Sequence, residues 1–136
     1  MREHGTYEMG VYDQIITLKV FGAWNLETTK RWCSEYRDHI QAVKSNPWAR
    51  IIDLTFWQLT TPDVWEIVDD VNIFANDNNQ KYEVVICPLS IQKEILGRAH
   101  QVLTNVEIEF CDSLPEAYQW LARKGLKHDE MRAPGT

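Results

Sequence analysis

Arg50-Ile51-Ile52-Asp53-Leu54 is a short apolar run, Thr60-Thr61-Pro62-Asp63 opens an amphipathic stretch, and Tyr82-Glu83-Val84-Val85-Ile86-Cys87 is a second apolar run. The order is strand, helix, strand. Two strands running the same way need a crossover long enough to hold a helix, so this order predicts a parallel pair. The same unit recurs outward from it. Ile15–Phe21 and Val106–Phe110 are also apolar runs, each followed by residues at helical spacing. Four such units specify an α/β sandwich with a mostly parallel sheet. Function in such a sheet belongs at the carboxyl ends of the strands.

The remaining elements follow from local signals. Tyr7–Tyr12 and Gln14–Phe21 are separated by little more than Asp13, which predicts a hairpin closed by a tight turn. Asn25 is placed to cap the first helix, whose Leu26, Thr29, Cys33, Tyr36, Ile40 and Val43 recur at steps of three and four. Asn46-Pro47 ends it. In the second helix Thr61 caps and Pro62 takes the first helical position. Ser90 is the cap expected for a third helix with Ile91, Ile95, Ala99 and Val102 inward. Ser113 and Glu116 form a capping box for a fourth, which Gly125 ends.

At 136 residues, 44% hydrophobic and 25% charged, the chain reads as one domain over 1–136 with a core over about 7–124 and a loose polar tail from 125. The net charge of -6 and the lack of a basic stripe exclude nucleic-acid binding. No apolar stretch approaches the ~20 residues that span a bilayer, and Met1–Gly5 lacks the apolar core of a signal peptide. A cytoplasmic protein without membrane insertion is expected. Cys33, Cys87 and Cys111 form no CxxC pair and read as reduced thiols, although Cys87 and Cys111 close successive strands and are placed to face each other. His4, His39, His100 and His128 show no metal-binding spacing, so neither a metal nor another cofactor is expected.

Two stretches resemble a known family. Ile51-Ile52-Asp53-Leu54-Thr55 is similar to the strand that ends in Asp-Leu-Ser/Thr in the STAS domains of anti-sigma-factor antagonists. The run from Phe110 through Asp112-Ser113-Leu114, Glu116-Ala117 and Trp120-Leu121 is similar to the ending of many STAS-like chains. The resemblance covers roughly residues 7–124. It implies a SpoIIAA-like α/β fold: about five strands in a mostly parallel sheet, an N-terminal hairpin and four helices. It also implies a domain that works by binding a partner protein. In that family a serine or threonine before the second helix is phosphorylated by the partner kinase. The equivalent place here is Leu59-Thr60-Thr61-Pro62-Asp63, where Thr60 and Thr61 supply hydroxyls but the family's serine pair and glycine are absent. A phosphate there would meet Asp63 and Glu66, and Pro62 removes one donor, so simple helix capping competes with a phosphosite.

The residues nominate one site. Trp24 follows the glycine that ends its strand, and Trp57 lies after the next strand. If successive strands are neighbours, both reach one rim, and Trp65 joins them from the second helix. With Asn25, Thr60 and Thr61 they make a candidate binding rim; the plainer alternative is that the rings plug the end of the sandwich. Asp63, Glu66 and Asp70 fall on one helical face and suit a basic partner, or are simply solvated. Asp53 ends a strand, with no second acid or histidine close in sequence, which fits a loop-capping carboxylate better than a catalytic one. The expectation is a non-enzymatic interaction or regulatory domain for a partner protein. The alternative is a carrier or sensor of a small apolar or lipid-like ligand, and a homodimer is compatible with either.

Overall fold

The computed structural model describes residues 2–58 and 62–126. Its sheet has five strands in the order β1-β2-β3-β4-β5: β1 Thr6–Tyr12, β2 Ile15–Gly22, β3 Trp48–Trp57, β4 Gln80–Ile86 and β5 Glu107–Cys111. β1 and β2 are antiparallel, and every later pairing is parallel. The hairpin turns at Asp13, whose φ of 54° lies in the left-handed region that Asp tolerates. Helices α1 Leu26–Val43, α2 Trp65–Asp77, α3 Leu89–Val102 and α4 Leu114–Arg123 supply the crossovers and the end of the chain. This is the mixed five-strand, four-helix arrangement that the alternation of apolar runs predicts.

The two faces of the sheet are covered unequally. Ile16, Leu18 and Val20 of β2 pack with Val85 of β4 under α1 and α2, and Ile91 and Ile95 of α3 join the same cluster. Ile15, Ala49, Ile51, Val84 and Ile86 point the other way, onto Ala117 and Leu121 of α4. Three helices therefore cover one face and one helix covers the other. The alternation of side chains along a strand makes this division, so neighbours in sequence serve different cores.

Several expected details differ. β3 runs on to Trp57 because its register with β2 shifts between Lys19 and Phe21, leaving an extra residue in β3. Asp53 anchors that bulge: its Oδ1 accepts from the Thr55 amide at 2.9 Å and the Thr55 hydroxyl at 2.6 Å. The second helix enters through a 3-10 turn over Pro62–Val64, with α proper from Trp65 and no side-chain cap; Thr61 lies outside the described residues. Ser90 does not cap α3, which starts two residues earlier than such a cap implies, at Leu89, behind Pro88. Ile91, Ile95, Ala99 and Val102 are only half-buried, and α3 buries none of its residues fully. Cys87 and Cys111 do not face each other: Cys87 joins the α1–α2 core and Cys111 packs on the α4 side. Ile86, and not Cys87, is the register partner of Cys111, which explains the opposite directions.

Candidate functional site

A cavity of about 120 Å³ lies between the sheet and α1, α2 and α3. Its walls derive from local sequence. Gly22 (φ 74°) turns the chain out of β2, and Asn25 then caps α1 by accepting from the Thr28 amide at 3.1 Å. Trp24, between them, swings inward and donates its indole N–H to the Thr6 carbonyl at 2.9 Å. Trp32, seven residues from the cap on the buried face of α1, lies 5.5 Å from the Trp24 ring and stacks on Tyr36 at 5.1 Å. The β3 bulge sends Phe56 to one face and Trp57 back to the cavity, where Trp57 meets Trp65 edge-on at 6.2 Å. Four indoles thus line one space.

Two charged pairs complete it. Arg50 and Glu83 are register partners on β3 and β4 and are each 3% exposed. The pair is bidentate, Nε to Oε1 at 2.5 Å and Nη2 to Oε2 at 2.6 Å, with Gln80 donating to Oε1 at 3.1 Å. The Arg50 guanidinium also lies 5.2 Å from the centre of the Tyr36 ring. Burial works against the Arg50 charge, but Glu83 more than restores it and holds its pKa above the usual range. Nearer the surface, Arg98 lies over Trp65 at 4.6 Å and bonds Asp69 through Nη2 at 2.9 Å. Three buried polar atoms of the lining, Trp32 Nε1, Asn72 Oδ1 and Arg98 Nε, have no partner among the described residues.

The cavity is lined by apolar rings and two ion pairs. Its carboxylates, Glu83 and Asp69, are committed to arginines. The nearby Cys33 thiol is pushed up to about 11 by burial, so it stays protonated at neutral pH. Asp53 lies on the other face, engaged with Thr55. Among the described residues, no group of three or more His, Cys, Asp and Glu side chains is placed to hold a metal.

The other face carries a broader open groove of about 810 Å³, between β1, β2 and the side of α4. Thr17, Lys19 and Asp53 form its floor, and Leu114 and Tyr118 form its wall. Beside it Phe21 stacks on Phe56 at 5.8 Å and 8°, with the Lys19 ammonium 5.5 and 5.3 Å from the two rings. Phe56 is 56% exposed. Leu89 and Leu114, after β4 and β5, are exposed as well. Three of the four large exposed hydrophobics among the described residues therefore lie at or just beyond the carboxyl ends of adjacent strands, the fourth being Ile73 on α2.

The structure brings Trp24, Trp57 and Trp65 together around the cavity. Trp24 is buried, and Trp57 and Trp65 are half-buried. Asn25 stands at the head of α1, where it also accepts from the His4 amide at 3.3 Å and donates to the Arg2 carbonyl at 2.7 Å. Thr60 and Thr61 lie outside the described residues. Sequence reasoning missed Trp32, Arg50, Asn72, Glu83 and Arg98. Two of these carried a signal: Arg50 and Glu83 each interrupt a strand that is otherwise apolar.

No family model matches the sequence, and no curated protein does. Solved structures do match. An uncharacterized protein of the DUF3478 family with a SpoIIAA-like fold, from Shewanella loihica PV-4, superposes with a TM-score of 0.69 at 14% identity, covering 89% of this chain and 96% of that one. The anti-sigma factor antagonist SpoIIAA in its unphosphorylated form gives 0.62 at 10% identity, over 87% and 98%. An anti-sigma factor antagonist from Mycobacterium paratuberculosis gives 0.58 at 12%, over 88% and 95%. The fold is therefore the SpoIIAA-like, or STAS, α/β fold.

Proposed function

We propose that this SpoIIAA-like domain is a non-enzymatic regulatory module that binds a partner protein at the carboxyl rim of its sheet. The observation that carries the reading is the exposed Phe56, stacked on Phe21 and flanked by Lys19, on the face that α4 leaves open. Aromatic rings held rigid at a surface lose little entropy on docking and anchor interfaces. Two of the similar structures are anti-sigma factor antagonists, which favours a protein partner. Of the candidate rim, Trp24, Asn25, Trp57 and Trp65 adjoin this end of the sheet, with Phe56 next in sequence to Trp57. The net charge of -6 suits a partner with basic residues around an apolar centre. Among the described residues no helix is long and apolar enough to cross a membrane.

The test compares what the full chain retains from crosslinked lysate of its own cells with what Phe56→Asp and Ile73→Asp retain. Ile73 is an exposed control on α2, across the sheet from the groove. The expected result is a partner kept by wild type and Ile73→Asp and lost by Phe56→Asp. Equal retention by all three would remove the rim as the docking surface.

A second reading is favoured by a separate observation, the indole-lined cavity under α1–α3. In it the domain carries or senses a small, largely apolar ligand. A single module can do both, since the cavity and the Phe56 surface lie on opposite faces.

A further inference from the structure

Within the ligand-binding reading, on which this step rests, we infer the chemical class of the ligand: an uncharged, single-ring aromatic molecule bearing one hydrogen-bond acceptor and one donor, such as an aromatic amide. Three observations lead there.

Size comes first. The cavity is about 120 Å³. An engineered apolar cavity of ~150 Å³ stays dry and takes up benzene. One ring therefore fits, whereas a long acyl chain would have to remain largely outside. The walls suit a ring, because Trp24, Trp57 and Trp65 offer faces and edges for offset or edge-on contact.

Polarity comes second. A buried polar atom left without a partner is costly, and natural structures leave few. Here three such atoms belong to residues of one cavity. Trp32 is 2% exposed and Asn72 is 8% exposed, so neither side chain is paired by bulk solvent. Trp32 Nε1 and Arg98 Nε are donors, and they call for an acceptor. Asn72 Oδ1 is an acceptor, and it calls for a donor. A ligand carrying one of each satisfies the wall.

Charge comes third. Both arginines of the lining already have counter-ions, Glu83 for Arg50 and Asp69 for Arg98. A carboxylate entering the cavity would meet Arg98 only in competition with Asp69, and an ammonium would meet carboxylates already held by arginines, so neither gains a full counter-charge, and burying a charge without one is heavily penalised. The cavity therefore selects the neutral form.

Calorimetry on the full chain at pH 7, with toluene, benzamide and benzoate as probes, tests the inference. Benzamide is expected to bind, with benzoate weaker by roughly tenfold or more and toluene weaker by a similar factor, the scale of one or two unmet hydrogen bonds. Asn72→Leu and Trp32→Phe are expected to bring benzamide down to the affinity of toluene while leaving toluene itself unchanged. Should either variant lose its fold by circular dichroism, the ranking of the three probes on wild type decides alone. Benzoate binding at least as tightly as benzamide overturns the neutral class. Toluene binding at least as tightly as benzamide overturns the polar requirement but leaves a ligand cavity standing. If none of the probes binds at millimolar concentration, the inference falls and the ligand-binding reading with it.

Discussion

Arg50 and Glu83 decide how the floor of the cavity behaves when it is altered. Each is 3% exposed, and each is the other's counter-charge. Removing one partner strands the other in the interior at a cost of about 3–5 kcal/mol, while replacing both with apolar residues of similar volume is often neutral or better. Glu83→Gln is therefore expected to lower the unfolding free energy by that amount. The double variant Arg50→Met/Glu83→Leu should come within about 1 kcal/mol of wild type. Urea melts of wild type, Arg50→Met, Glu83→Leu and the double variant give the coupling directly. Additive losses would mean that the two side chains do not act as a pair. The pair also marks a limit of sequence reading at this scale. Arg50 and Glu83 stand out as charges within apolar runs, but their meeting depends on the β3–β4 register, in which they are direct partners. No local pattern fixes that register.

At the scale of single elements, the ends of helices were legible where a side chain makes the cap. Asn25 and Ser113 both bond the amide three residues on, as their positions before amphipathic runs predict. The start of α3 was not, because it follows Pro88 with no side-chain cap; the second helical stretch does open at Pro62 as expected, but as a 3-10 turn with α proper only from Trp65. The β3 bulge was equally hidden, since it rests on two hydrogen bonds from Thr55 to Asp53 and involves no glycine. Asn25 does more than a cap. It also ties the incoming chain through His4 and Arg2, next to Gly5, whose φ of 74° and close approach to Trp24 leave no room for a side chain: an added Cβ would lie 2.6 Å from Trp24 Cδ1. Asn25→Ala is thus expected to cost at least the ~1 kcal/mol of an ordinary cap, and more than Ser113→Ala, whose single cap bond is 3.3 Å long. Thermal melts of the two variants side by side check the order. If Ser113→Ala proves the more harmful, the ties from Asn25 to Arg2 and His4 contribute nothing.

Across the whole molecule, the alternation of apolar runs carried the fold because strand order here follows chain order: each strand pairs with the one before it. The cavity was half legible for the same reason. Trp24 and Trp57 line one cavity because β2 and β3 are neighbours, whereas Trp32, Asn72 and Arg98 reach it from three different helices whose packing no single segment encodes. That packing is uneven. α1 buries seven residues fully and α3 buries none. β5, beside β4 at the edge of the sheet, has no fully buried residue either. Local opening follows the distribution of buried contacts, so the α3–β5 side forms the low-stability end of the domain. Native-state hydrogen exchange should show α3 amides exchanging roughly tenfold or more faster than those of α1, with β2, β3 and β4 slower still. Ile95, Arg98 and Ala99 of α3 line the cavity, so a molecule bound there holds α3 against the sheet. Saturating benzamide is expected to slow exchange in α3 and leave β1 unchanged, because ligand binding stabilises only against openings that destroy its site. Exchange in α3 as slow as in α1 without any probe would remove the soft edge. A uniform slowing across all five strands would mean that the ligand grips the whole fold and does not select its weakest helix.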